Sequence, residues 1–333
     1  MKVLNRIIAV CIIGVIAAAG VFAAGVAEQE ESNVIGISKI VSHPALDAVE
    51  QGIMDELAEL GYEFEFDLQN ANGDISAANQ IATRFRDRRV RLAVGIATPT
   101  AQALVNNITD IPVVYSAITD PVGAGLVESF DAGTDNVTGV SDLTPVREQI
   151  ELLLQLADVQ TLGHVYAAGE ANAVRLAELA REAAADLGIR FVEATVSNTA
   201  EVRTATQSII NQVDAIYVST DNTVVSALSA LTDVAMNAGV PVMSADPTSA
   251  ADFDVVAALG FDYYQMGRVT GRLISDILGG VDPASVPTIF MTEPEDQTLF
   301  LNLDVAAQLG IDVPDSVIAN ATSILEGGEL HTR

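Results

Sequence analysis

The sequence predicts an α/β protein of two similar lobes, each built on a parallel sheet. Three observations predict it. From Val34 onward, short β-branched runs alternate with longer amphipathic segments, the order of βαβ units. That order then repeats with matched spacing, Gly61 to Pro112 spanning 51 positions and Gly188 to Pro241 spanning 53. Both repeats also close on related phrases. Ile111-Pro112-Val113-Val114-Tyr115-Ser116-Ala117-Ile118-Thr119-Asp120-Pro121 is answered by Val240-Pro241-Val242-Met243-Ser244-Ala245-Asp246-Pro247. Alternation alone would fit any α/β chain; the shared spacing and ending point to Rossmann-like lobes of one topology.

In the first repeat, 34–38 reads as a strand and 44–60 as a helix stopped by Gly61. Strand 64–68, helix 76–86, strand 92–96, helix 100–106 and strand 113–115 follow. The second repeat runs strand 164–166, helix 171–187 stopped by Gly188, strand 191–196, helix 201–211, strand 215–218, helix 223–237 and strand 242–243. Beyond Pro247 the pattern gives strand 255–259, helix 263–278, strand 288–292 and helix 303–309. A tail of this kind re-enters the first lobe and returns to the second. The expected division is therefore 33–141 plus 247–286 for lobe one, and 142–246 plus 287–333 for lobe two. Three crossovers, near 139–143, 245–250 and 286–288, form a hinge.

The chain has 333 residues, 50% hydrophobic, with 45 acidic against 16 basic side chains and a net charge of −29. It is long and apolar enough for a substantial core. Lysine occurs only at Lys2 and Lys39, which removes nucleic acid as a partner, because phosphate neutralisation needs clustered cations. It also removes a phosphate-binding P-loop. One cysteine, Cys11, excludes an intrachain disulfide framework, and no paired-histidine spacing suggests a metal or cofactor.

The N-terminus has the build of an export signal. Lys2 and Arg6 precede an apolar run over 7–19, and small-x-small sites end at Ala23 and Ala27. An uncleaved anchor is the competing reading, although the run is shorter than a comfortable membrane span. A lipid attachment at Cys11 is disfavoured by bulky Val10 before it. With residues 1–27 removed, 45 acids face 14 bases, a net charge of −31. The expected location is the periplasm or the cell surface. The acids stand on expected helix faces, such as Asp55, Glu56, Glu59 and Glu178, Glu182, Asp186. That dispersal reads as a solubility adaptation to a saline medium.

In open parallel sheets, ligands bind beyond the carboxyl ends of the strands. Lobe one offers neutral loops there, carrying Ser38, His43, Thr98, Thr100, Ser116 and Thr119. The helix opened by Thr98-Pro99-Thr100 presents free N–H groups suited to a carboxylate. Lobe two offers Glu170, Asn172, Thr220, Asp221, Asn222 and Asp246, with anions able to receive an ammonium group. A zwitterion such as an amino acid satisfies both sides. Thr98, Asn172 and Asp221 have helix capping as an equal alternative. No Gly-x-Ser-x-Gly elbow supports a hydrolase, and catalytic residues are not expected.

At these loops the sequence resembles the substrate-binding proteins of ABC transporters, the tryptophan/tyrosine type. The resemblance is carried by 37–47, Asn70-Ala71-Asn72-Gly73-Asp74, 97–102 and 116–122. It continues through Gly139-Val140-Ser141-Asp142, 169–172, 220–223 and 302–307 with Gly310. It implies a type I, three-crossover periplasmic binding fold and a monomer that hands a small solute to cognate permease subunits. Carried over by position, Thr98, Thr100 and Ser116 become carboxylate-side contacts. Glu170 and Asp221 become ammonium-side contacts, aided by Asn172 and Asn222. A sensory module for a membrane receptor and a secreted hydrolase or isomerase are the competing functions. A repressor of similar shape is disfavoured by the export signal.

Overall fold

The computed structural model describes residues 32–291 and 296–333. The expected export signal, with Lys2, Arg6 and Cys11, lies outside the described residues.

The first sheet collects β1 (Val34–Lys39), β2 (Glu65–Asn70), β3 (Leu92–Ile96), β4 (Val113–Ile118), β5 (Val137–Ser141) and β11 (Ile289–Phe290). Its order is β11-β5-β4-β3-β1-β2, and every pairing is parallel. The three central strands β3, β4 and β5 are buried throughout, as a parallel sheet covered on both faces requires. Helices α1 (Pro44–Glu59), α2 (Ile75–Arg88) and α3 (Thr98–Asn107) connect the early strands. Gly61 and Gly188 follow helices with φ of 88° and 75°, the left-handed conformation that ends a helix at little cost for glycine.

The second sheet runs β14-β13-β12-β10-β9-β8-β6-β7. Its strands are β6 (Thr161–Ala167), β7 (Arg190–Val196), β8 (Ala215–Val218), β9 (Val242–Ser244), β10 (Ala257–Phe261), β12 (Gln297–Asn302), β13 (Ser323–Glu326) and β14 (Glu329–Thr332). Helices α4 (Val146–Leu156), α5 (Ala171–Asp186) and α11 (Leu303–Leu309) share one apolar cluster with it. Helices α6 (Val202–Ile209), α7 (Asn222–Val225) and α8 (Leu228–Ala238) share another. The remaining helices are α9 (Pro247–Ala250), α10 (Tyr263–Leu278) and α12 (Asp315–Asn320). Reading from each sheet's early edge, the strand order is 2-1-3-4-5 in both, so the repeat in the sequence is a repeat in topology.

Two expectations change. Strand 255–259, expected in the first lobe, appears as β10 and pairs in parallel with β9 of the second sheet. Its apolar run fits any central strand, and only long-range pairing decides the sheet. The second crossover therefore falls at Asp262 and not at 245–250, and the third falls after β11 and not at 286–288, because β11, expected in lobe two, pairs in parallel with β5 of the first sheet. Helix α10 then packs on α1, β4 and β5 of the first sheet, while α4, which follows β5, packs against the second. Each sheet's fifth strand thus hands its next helix to the other half.

The second change concerns charge. Of Asp55, Glu56 and Glu59, expected on a solvated face, Glu59 is exposed as expected and Asp55 half-buried, but Glu56 is buried, and all three meet residues of α10. Arg268 and Arg272 ion-pair with the buried Glu56, Arg268 also reaches Glu59 at 2.5 Å, and Tyr264 donates to Asp55 at 3.1 Å.

Candidate functional site

The carboxyl ends of both sheets enclose a small cavity of about 20 Å³. A void of that size has room for about one water-sized group. The first half contributes His43, Leu46, Ala117 and Thr119; the second contributes Asn172, Thr220, Asp221, Asn222 and Asp246; Asp142 and Tyr263 stand where the chain passes between the halves, Tyr263 at the start of α10. A second cavity of about 120 Å³ adjoins it through the shared Asn222 and includes Glu170 in its wall.

Seven of the twelve expected residues therefore line the first cavity: His43, Thr119, Asn172, Thr220, Asp221, Asn222 and Asp246. Glu170 lines the second together with Asn222. Ser38, Thr98, Thr100 and Ser116 line neither. The Thr100 hydroxyl turns back to the Ile96 and Ala97 carbonyls at 2.6 and 3.0 Å. Ser116 pairs with Thr270 of α10 at 2.7 Å. Both are fully buried, so the carboxylate contact expected of them is occupied by internal bonds. Ser38 and Thr98 differ, because their buried hydroxyls have no partner among the described residues.

Backbone strain marks the same strand ends. Ala97 has φ 74° and ψ 151°, a region nearly reserved for glycine, and Ala117 in the cavity wall has φ 57°. Such residues cost of order 1–3 kcal/mol each and persist where their surroundings enforce them. Ala97 directs the N-terminus of α3, and Ala117 turns β4 toward the cavity.

The cavity's electrostatics are one-sided. Asp142 accepts from Tyr263 at 3.0 Å and from Thr119 at 3.2 Å, yet burial pushes its carboxyl up to about 6. Burial also raises Asp221, reinforced by Glu170, although the Ala167 and Val224 amides donate to it at 2.6 and 2.9 Å. Asp246 receives the Ser249 amide on Oδ1 at 3.1 Å, and its buried Oδ2 has no partner among the described residues. Among the described residues, His43 is the only basic group in the wall. Burial lowers its pKa against the opposing pull of Asp246, Asp47 and Glu170 and of the Asn222 side chain. Asn222 stands beside the ring, but neither ring nitrogen is in hydrogen-bonding geometry. At neutral pH the imidazole is uncharged, and three carboxyl groups face the cavity without a cation. Among the described residues no His, Cys, Asp or Glu group is arranged to hold a metal ion. The cavity is shaped for a small cationic head with hydrogen-bond donors.

Asp221 is at once the N-cap of α7 and part of the cavity wall. Asn172 does not cap. Its Nδ2 donates to the Thr220 carbonyl at 3.2 Å and its buried Oδ1 is unpartnered among the described residues. Glu170 accepts twice on Oε1 from Thr223 and once on Oε2 from Asn222, so the open acceptor expected of it is reduced to one position on Oε2.

Sequence reasoning missed Asp142 and Tyr263. Both stand just past crossovers, Asp142 after β5 and Tyr263 after β10, at matching points of the two repeats. That correspondence was the available signal. Tyr115 and Tyr217 are core residues, hydrogen-bonded to Thr288 and Gln149 at 2.6 Å.

Comparison with known proteins agrees with this geometry. A family model described as "ABC transporter substrate binding protein" matches residues 34–325. A tyrosine-binding protein of Clostridioides difficile is 32% identical over 273 residues, covering 80% of this chain and 79% of the relative. An ABC substrate-binding domain from Streptococcus pneumoniae, solved with L-Trp, shares 33% identity and superposes with a TM-score of 0.84, covering 88% of this chain and 99% of that one. A ligand-free, open substrate-binding protein with adhesive properties from Clostridium difficile shares 31% identity. Its TM-score is 0.65, covering 86% of this chain and 97% of that one.

Proposed function

The chain belongs to the ABC transporter substrate-binding protein family, and from that premise we propose that it is the extracytoplasmic solute receptor of an importer. Its solute is a zwitterionic amino acid, aromatic by analogy with the tyrosine- and tryptophan-binding relatives. The supporting observation is the cation-free cavity of Asp142, Asp221 and Asp246, in which Asp246 Oδ2 awaits a donor. An ammonium group is water-sized, brings three donors, and cancels the buried negative charge. The unpartnered hydroxyls of Ser38 and Thr98, near the α3 N-terminus, are the carboxylate side.

The two halves act as lobes, 33–141 with 263–291 and 142–262 with 296–333, and solute transfer follows from their closure. At nearly equal identity the chain superposes far better on the L-Trp complex than on the open, ligand-free relative. That difference supports a closed arrangement here. A ligand shifts the open–closed equilibrium only through contacts better made when closed, and the first cavity takes its walls from both halves. Delivery to permease subunits follows from the family. Calorimetric titration of residues 28–333 with the twenty amino acids is the test, and absence of binding by all of them would sink the amino-acid reading. Mass spectrometry of co-purified solute is the companion measurement.

A further inference from the structure

We propose that the solute's side chain lodges in the 120 Å³ cavity, and that Glu170 there selects rings carrying a hydrogen-bond donor over plain phenyl. This rests on the amino-acid reading above. Asn222 lines both cavities, so they are neighbours, and a solute with its ammonium in the first has the second within reach of its side chain. The second is several times larger, and Ile40, Val41, Pro99 and Ala167 give it apolar walls suited to an aromatic ring.

Glu170 is the charge-bearing group of that wall, and its bonding is lopsided. Oε1 accepts twice, from the Thr223 amide at 3.1 Å and the Thr223 hydroxyl at 2.6 Å. Oε2 accepts once, from Asn222 Nδ2 at 2.5 Å. A carboxylate oxygen takes about two donors, so Oε2 keeps one acceptor position. Asn222 and Thr223 fix the carboxyl group, so this position is preorganised.

An indole N–H or a phenol O–H fills the remaining acceptor position. A phenyl ring excludes water from it and supplies nothing, which is the situation that polar sites reject most strongly. Glu170 is 8% exposed, which leaves water some access and sets the discrimination at tens-fold and not at the extreme.

The test is calorimetric titration of residues 28–333 with L-tryptophan, L-tyrosine and L-phenylalanine, for the native protein and for Glu170→Gln. The native protein should bind tryptophan and tyrosine at least about tenfold more tightly than phenylalanine. In Glu170→Gln the amide presents an N–H where the acceptor stood. Tryptophan and tyrosine should then lose about tenfold, while phenylalanine changes by less than about threefold. The native ranking needs no variant, so it decides the matter even if the substitution unfolds the protein. Phenylalanine binding as tightly as tyrosine overturns the selection alone. No heat with any of the three overturns it together with the aromatic-solute reading, while the titration with all twenty amino acids still decides the amino-acid reading.

Discussion

Asp246 and Asp142 divide the work of the first cavity between them. Asp246 keeps an acceptor free, whereas Asp142 spends its oxygens on Tyr263 and Thr119. Asp246→Asn should therefore weaken amino-acid binding by about ten- to a hundredfold, the worth of a charge-assisted hydrogen bond, read by calorimetry. Asp142 contributes to the pH behaviour alongside Asp221, which burial raises to about 7. The folded Asp142 pKa of about 6 lies above the ordinary aspartate value, so between roughly 4 and 6 the folded state holds a proton that the unfolded state has lost. That contribution is present at low pH and lost as pH rises through 6. We expect the melting temperature to fall over this interval, and to fall less steeply in Asp142→Asn. An ammonium ligand favours the ionised carboxyl, so binding near pH 6 should release protons and affinity should drop below it. At this scale the sequence was half legible. Residue type and strand-end position marked His43, Asp221 and Asp246. Thr100 and Ser116 had the same marks, but a hydroxyl cannot announce whether it will bond its own backbone or a neighbouring helix.

Helices α1 and α10 meet along glycines. A Cβ on Gly52 would overlap the Tyr264 carbonyl, one on Gly267 the Val49 carbonyl, and one on Gly271 the Glu56 side chain. The backbones touch, which brings Arg268 and Arg272 onto Glu56. Gly52→Ala should cost about 1–3 kcal/mol of overpacking and lower the melting temperature by several degrees, measured by calorimetry. The seam explains part of what the sequence showed. Apolar periodicity and helix-stopping glycines located α1 and α10 closely, because those signals are local. Neither signal says which sheet a helix covers, and so the acidic face of α1 looked solvated. Strands β5, β12, β13 and β14 and helices α4, α9 and α12 escaped notice, although Gly133-Thr134-Asp135-Asn136 stands before β5 and Pro145 before α4.

For the molecule as a whole, charge and closure act together. Much of the net charge of −29 lies on exposed acids, some paired with arginines, such as Glu178 and Asp186 with Arg175 and Arg147. Exposed pairs contribute little, so the remaining repulsion dominates and salt should relieve it. We expect the melting temperature to rise from low salt toward molar salt; a fall would refute adaptation to a saline medium. Arg175 also reaches Asp120 across the halves at 3.7 Å, at the mouth of the cleft. Small-angle scattering should show compaction on adding the cognate amino acid. The exchange of helices between the sheets has one more consequence, for assembly. A chain emerging amino-terminus first cannot complete its first half until α10 and β11 have followed, and they begin 122 and 148 residues after β5 ends. Until then the α1 glycine seam lies bare and the sheet lacks an edge strand. Fragments ending near residue 141 or 262 should fail to fold cooperatively. The protein is obliged to mature as one piece, late, and only after nearly all of it has left the machinery that made or exported it.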